Sequence, residues 1–91
     1  MRHVQVIVEG TVQGVGFRYF TLSTAVDHHI TGWVKNLDNG TVEIEAQGDH
    51  SEMEQFLAKI KRGPTIFARV KQIHVTEKEP TNLYKAFDII Y

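Results

Sequence analysis

The chain has 91 residues, enough for one domain with a modest hydrophobic core and too few for two. Ten lysine and arginine residues balance eleven acidic residues, and the net charge of -1 gives no general attraction to nucleic acid or to anionic membranes, so any affinity for anions has to be local. The chain has no cysteine, which excludes disulfides, thiolate nucleophiles and sulfur-ligated metals.

The first half of the chain predicts a strand, a helix and a hairpin. In HVQVIVEG, Val4, Val6 and Val8 alternate with residues 5, 7 and 9, as in a strand with one face on the core. Apolar residues then recur at three- and four-residue intervals from Phe17 to about Ile30, which predicts a helix. Asp38-Asn39-Gly40, between TGWVKNL and TVEIEAQG, predicts a tight hairpin turn. The apolar positions of the predicted helix are Phe17, Phe20, Leu22, Ala25, Val26 and Ile30.

The second half predicts another helix and two more strands. Asp49 and Ser51 are candidate N-caps ahead of an apolar stripe, and Gly63-Pro64 is typical of a helix end. ARVKQIHVTEKE and YKAFDIIY predict strands separated by a polar turn at residues 80–82. This order predicts an α+β fold, a ferredoxin-like split βαβ sandwich (βαββαβ plus a short C-terminal strand) with two helices on one face of a mixed, mainly antiparallel sheet. The apolar stripe of the second predicted helix consists of Met53, Phe56, Leu57 and Ile60.

The stretch EGTVQGVGFRYF, residues 9–20, is the most unusual local feature. If the strand ends near Gly10 and the helix begins near Phe17, the glycines lie in a loop that leads into a helix N-terminus, where unpaired backbone N–H groups and the helix dipole favour an anion. Arg18 in the first turn opposes the dipole, which makes sense if an anion lies between it and the loop. The alternative is that the glycines form only a tight turn and that Arg18 is solvated.

Two nucleotide-binding motifs do not fit this loop. Gly10 and Gly14 are separated by three residues rather than four, and Val15 stands where a P-loop has its lysine. Tyr19 stands where a dinucleotide fingerprint has glycine or alanine, and that fingerprint belongs to a larger parallel sheet than this chain can build.

Asn36 is a candidate for the same site. Alternation places it with Val34 on one face of the second strand. The first and second strands of a split βαβ fold run parallel, so their C-terminal ends share one edge of the sheet and the Gly10 loop could meet the Asn36 amide. The alternative is that Asn36 belongs to the turn chemistry of the hairpin.

Together these pieces resemble the acylphosphatase family over essentially the whole chain. GTVQGVGFR is similar to its phosphate-loop signature, and GWVKNLDNGTVEIEAQG to its second signature, at the expected separation. The resemblance implies that Arg18 is the catalytic arginine that binds phosphate and that Asn36 holds the attacking water. Leu37 departs from some relatives, notably the animal forms, which carry a hydroxyl residue there, and this could alter the rate. The implied phosphate-binding residues are Gln13, Gly14, Val15, Gly16, Phe17 and Arg18, of which the backbone of Gln13 to Gly16 forms the cradle.

The activity implied is metal-free hydrolysis of small-molecule acyl phosphates to a carboxylate and inorganic phosphate, with no cofactor. Inorganic phosphate is expected as product and competitive inhibitor, and neither nucleic acid nor a membrane is expected as a partner. We expect a single domain over residues 1–91, a monomer. A cytoplasmic location is expected because the chain starts without an apolar leader and has no apolar run of membrane-spanning length.

The other polar residues have plainer interpretations. The five histidines are scattered, and His50 with Glu54 has no third ligand nearby, so no metal site is predicted. Glu43 and Glu45 are interpreted as a solvated strand face rather than an acid/base pair.

Two other functions compete with hydrolysis as interpretations of this sequence. An RNA-recognition module would stack bases on exposed sheet aromatics, which the strands HVQVIVE and TVEIEAQ lack. The other rival, an acylphosphatase-like domain that binds a ligand as a regulator, could use the same residues, so the sequence separates it only weakly from a hydrolase.

Overall fold

The structure, a computed structural model, describes residues 1–64, 67–80 and 82–91, which form two helices and one five-stranded sheet. The strand order is β4-β1-β3-β2-β5, and every described pairing is antiparallel except β2 with β5, which is parallel. The predicted fold is therefore confirmed. The elements are β1 (Arg2–Thr11), α1 (Phe17–Asp27), β2 (Thr31–Asn36), β3 (Val42–Gly48), α2 (His50–Arg62), β4 (Arg69–Glu77) and β5 (Phe87–Ile90).

The core lies between the sheet and the two helices, which contact each other. Val4, Val6 and Val8 of β1 are fully buried, which confirms the predicted strand face. The predicted α2 stripe also packs there, with Leu57 at its partly buried margin. Each fully buried side chain of this size contributes roughly 1.5 to 3 kcal/mol to folding. The fully buried members of the stripe are Met53, Phe56 and Ile60.

Helix α1 ends at Asp27, three residues before the predicted end at Ile30. His29 adopts a left-handed conformation with φ 57°, and the N–H of Ile30 donates to the Ala25 carbonyl at 2.8 Å. The N–H of His29 donates to the Val26 carbonyl at 3.3 Å, and the two bonds form a Schellman motif. Ile30 is buried just beyond this turn, so it fits the helical spacing without being helical.

The buried face of α1 also differs from the predicted stripe. Val26 was placed on that face and is 61% exposed, whereas Thr21 and Thr24 are buried. The Thr21 hydroxyl donates to the Phe17 carbonyl at 2.9 Å, and the Thr24 hydroxyl donates to the Phe20 carbonyl at 2.8 Å. Because both hydroxyls are paired within the helix, these threonines can be buried at little cost.

The turn between β2 and β3 forms where Asp38-Asn39-Gly40 predicted it. The N–H of Leu37 donates to the Thr41 carbonyl at 2.9 Å, and Gly40 has a φ of 91°. The side-chain oxygen of Asn39 accepts bonds from the N–H and the hydroxyl of Thr41. The turn is therefore closed by both backbone and side-chain bonds. The other predicted turn, at residues 80–82, lies partly outside the described residues because it includes Thr81.

The N-cap of α2 allows a test between the two predicted capping residues. Asp49 accepts the N–H of Glu52 at 2.8 Å, whereas Ser51 lies exposed inside the helix. Replacing Asp49 with alanine should lower the free energy of unfolding by about 1 kcal/mol. Ser51→Ala should change it by less than about 0.5 kcal/mol. Urea denaturation followed by circular dichroism measures both, and equal losses would show that Asp49 is not the cap.

The prediction that Glu45 belongs to a solvated strand face is wrong. Glu45 is only 6% exposed, and one of its carboxylate oxygens lies 2.8 Å from Nε2 of the buried His3. The segment after β4 covers this part of the sheet, because the Gln47 side chain donates to the Asn82 carbonyl and accepts the N–H of Tyr84 at 3.0 Å. Glu45 is thus a buried structural partner of His3.

Candidate functional site

A pocket of about 100 Å³ lies at the edge of the sheet where β1 and β2 both end. The two strands run parallel, since each pairs antiparallel with β3 between them, so the loop after β1 reaches Asn36 at the end of β2. A cavity of this size has room for a small ion together with a water. The lining residues are Val12, Gly14, Gly16, Phe17, Arg18, Tyr19 and Asn36.

The loop wall of the pocket depends on glycine. Gly14 and Gly16 have φ of 74° and 82°, values that residues with a Cβ rarely adopt. A Cβ at either position would meet open space, so the backbone conformation, not crowding, requires glycine there. The loop therefore leads into α1, and Gly14 and Gly16 have no side chains of their own to cover the backbone N–H groups.

The N-terminus of α1 is open to a ligand. Gly16 is the N-cap, and the first helical bond runs from the N–H of Phe20 to the Gly16 carbonyl at 3.1 Å. In the part of the chain that the structure describes, no side chain caps this end, in contrast to Asp49 on α2. The N–H groups of Gly16 to Tyr19 are thus left without helical partners beside the positive end of the dipole, which favours an anion.

Arg18 adds a full positive charge to this end of the helix. Its guanidinium carbon lies 4.8 Å from the centre of the Tyr91 ring, a cation–π contact. The Tyr91 hydroxyl lies 3.3 Å from that of Tyr19, and this hydrogen bond raises the pKa of Tyr91 above its usual value. Within residues 1–64, 67–80 and 82–91, no carboxylate forms an ion pair with Arg18. Its positive charge therefore remains available to an anion.

Asn36 lines the pocket and has an unpaired side-chain oxygen. Its Oδ1 atom is buried, and no hydrogen bond to it is found among the described residues. A buried polar atom without a partner costs about 1 to 3 kcal/mol, so it calls for a physical explanation. A hydrogen-bond donor that reaches this oxygen, such as a water molecule, would satisfy it.

Gln13 joins the loop to the hairpin that carries Asn36. Its Nε2 atom donates to the Leu37 carbonyl at 2.7 Å and to the Thr41 carbonyl at 2.8 Å. The sequence implied a role only for the backbone of Gln13. No spacing rule predicts such a bond, because it depends on the path of the loop.

Most of the predicted site residues meet at the pocket. Gly14, Gly16 and Phe17 line it together with Arg18 and Asn36, which are the two predicted catalytic residues. Of the remaining predicted phosphate-binding residues, Val15 packs against the core and Gln13 faces the hairpin. The lining residues that the sequence interpretation missed are Val12 and Tyr19.

Outside the pocket, the described residues contain no group of three or more histidine, cysteine or acidic side chains arranged to hold a metal. Glu54, considered with His50, instead accepts a bond from Arg2 at 2.6 Å, and Nδ1 of His28 lies 3.0 Å from a Glu52 oxygen. In the same described part, no helix is both long enough and apolar enough to cross a membrane.

Comparisons with known proteins agree with this geometry. The sequence model described as Acylphosphatase matches residues 4–89. A protein named Acylphosphatase from Oceanobacillus iheyensis is 51% identical over 92 residues and is covered completely, as is this chain. One from Geobacillus thermodenitrificans is 50% identical over all of this chain and 96% of its own length. The crystal structure of acylphosphatase from Bacillus subtilis superimposes with a TM-score of 0.95 at 42% identity, covering 100% of both chains.

Proposed function

The chain belongs to the acylphosphatase family and is a hydrolase, and we propose that it cleaves acyl phosphates by direct, metal-free attack of a water molecule on phosphorus. The products are a carboxylate and inorganic phosphate. The observation that supports this most is that Asn36, whose Oδ1 is buried and unpaired, lines the same pocket as the open α1 N-terminus and Arg18.

The chemistry of an acyl phosphate suits a site with so few groups. Its leaving group is a carboxylate, whose conjugate acid has a pKa of roughly 4 to 5, so it departs without a general acid. In a loose transition state the incoming water needs little deprotonation, and the remaining task is to orient the water and stabilise charge on the phosphoryl oxygens. This is why neither a strong base nor a metal is needed.

Arg18 and the amides of the loop hold the phosphoryl group in this mechanism. The amides of Gln13 to Phe17 approach its oxygens around the open helix N-terminus, and the guanidinium balances their charge. Inorganic phosphate carries the same oxygens, so it should compete with substrate.

Asn36 orients the attacking water. An amide takes no proton at neutral pH, so Asn36 acts by geometry: its Oδ1 accepts a hydrogen bond from the water and aligns it with the phosphorus. Leu37 follows without a hydroxyl, so the water has no second side-chain partner from that position.

The attack on phosphorus is tested by hydrolysing benzoyl phosphate in water enriched in oxygen-18. One labelled oxygen should appear in each phosphate and none in benzoate, at a rate unchanged by excess EDTA. Label in benzoate would show attack on the carbonyl carbon instead. Activity lost in EDTA and restored by a divalent ion would refute the metal-free mechanism.

A monomeric state and a cytoplasmic location stay predictions of the sequence.

Turnover of a single synthetic acyl phosphate separates the hydrolase from the rival regulatory domain, because a domain that only binds its ligand would show phosphate affinity and no release of carboxylate.

A further inference from the structure

We infer that the side chain of Gln13 is a positioning residue, which holds the glycine loop at a fixed distance from Asn36. This inference rests on the proposed function, because it assigns Gln13 the task of aligning the phosphate-binding amides with the water on Asn36. It concerns the side chain alone, in addition to the backbone role already assigned to this residue.

The geometry places both hydrogens of the Gln13 amide on the hairpin. They are donated to the carbonyls of Leu37 and Thr41, at 2.7 and 2.8 Å. Leu37 directly follows Asn36, and its own N–H donates to the same Thr41 carbonyl at 2.9 Å. Gln13 therefore binds the last backbone pair of the hairpin, one residue from the proposed water site.

The loop has little else of this kind to fix its distance from the hairpin. Among the side-chain hydrogen bonds of the described residues, those of Gln13 are the ones that join residues 12–16 to residues 36–41. Gly14 follows Gln13 directly and Gly16 lies two residues further on, and glycine backbones have more conformational freedom than any other. Loss of the two bonds should let the loop and Asn36 move relative to each other.

Such a change should affect kcat more than affinity for phosphate. Arg18 and the first-turn N–H groups stay together on α1, so they can still bind phosphate, with a smaller contribution from the loop amides, when the loop shifts. A misplacement of about 1 Å between reacting groups can cost about 100-fold in rate. We expect Gln13→Met, which keeps the length of the side chain without its N–H donors, to lower kcat about 10- to 100-fold, with a much smaller change in inhibition by inorganic phosphate.

Gln5 provides a matched control. Its Nε2 donates to a Glu43 oxygen at 2.7 Å, between β1 and β3, and neither residue lines the pocket. Gln5→Met removes a bond of the same kind at a distance from the site and should leave kcat unchanged. Thermal unfolding of each variant shows that the protein measured is folded. A second variant, Gln13→Glu, keeps the shape but turns a carboxylate toward two carbonyls, so it should lose at least as much kcat.

The decisive measurement is a double-mutant cycle with Asn36→Ala, using benzoyl phosphate. If Gln13 acts through Asn36, Gln13→Met should cost little in the Asn36→Ala protein. Full additivity of the two losses, or a normal kcat in folded Gln13→Met and Gln13→Glu, would overturn the positioning role alone. A normal kcat in Asn36→Ala by itself would instead overturn the proposed function, so the two failures are distinguishable.

Discussion

Replacing Arg18 with alanine should lower kcat/KM for benzoyl phosphate about a thousandfold. A loss of this size is typical when a single group that stabilises charge on a transferred phosphoryl group is removed. The guanidinium is the one full positive charge among the pocket-lining residues, and no described carboxylate pairs with it. Its loss should therefore weaken inhibition by inorganic phosphate as well as slow turnover.

Two controls separate this effect from a general loss of charge. Arg62→Ala removes an exposed arginine at the end of α2 and should leave kcat/KM and the inhibition constant for phosphate unchanged. Arg18→Lys keeps the charge without the planar fork of donors and should recover only part of the lost rate. Unchanged phosphate inhibition in folded Arg18→Ala would show that the anion lies elsewhere.

Replacing Asn36 with alanine should lower kcat about 100- to 1000-fold, comparable to the loss of a single oxyanion-hole donor, and should leave phosphate inhibition nearly unchanged. Water would still reach the pocket but would no longer be held in line with the phosphorus.

Stability gives this prediction a second, independent readout. Because Oδ1 of Asn36 is buried without a described partner, its removal should leave the free energy of unfolding unchanged or raise it. A merely structural asparagine would instead show a loss of stability with kcat preserved. Asn82→Ala, at an exposed position that does not line the pocket, serves as the control.

Alternation and helical spacing are sufficient to predict the fold because most helices and strands have one clearly apolar face. Val4, Val6 and Val8 are all fully buried, as the pattern predicted. Helix α1 was harder, because its threonines pair their hydroxyls within the helix and pack like apolar residues. A hydrophobic pattern that counts threonine as polar therefore predicts the wrong buried face for α1 and assigns the exposed Val26 to it.

Contacts between distant segments could not be predicted from local patterns. The local pattern predicts that Glu45 is solvated on its strand. It is buried because the segment after β4 covers it and His3 pairs with it. For the site, parallel strands explain why the loop and Asn36 meet at one edge. The Gln13 bonds to the hairpin depend on the exact path of a glycine loop, for which the sequence contains no periodic signal.

The proposed activity requires that the open N-terminus of α1 and Arg18 bind a phosphate ion beside Asn36. Titrating inorganic phosphate into nitrogen-15-labelled protein, followed by NMR, measures this directly. Backbone amide signals of Gly14 to Arg18 and the side-chain amide of Asn36 should shift with one common dissociation constant, and these shifts should disappear in Arg18→Ala. Shifts confined to other residues, or the same shifts in Arg18→Ala, would contradict it.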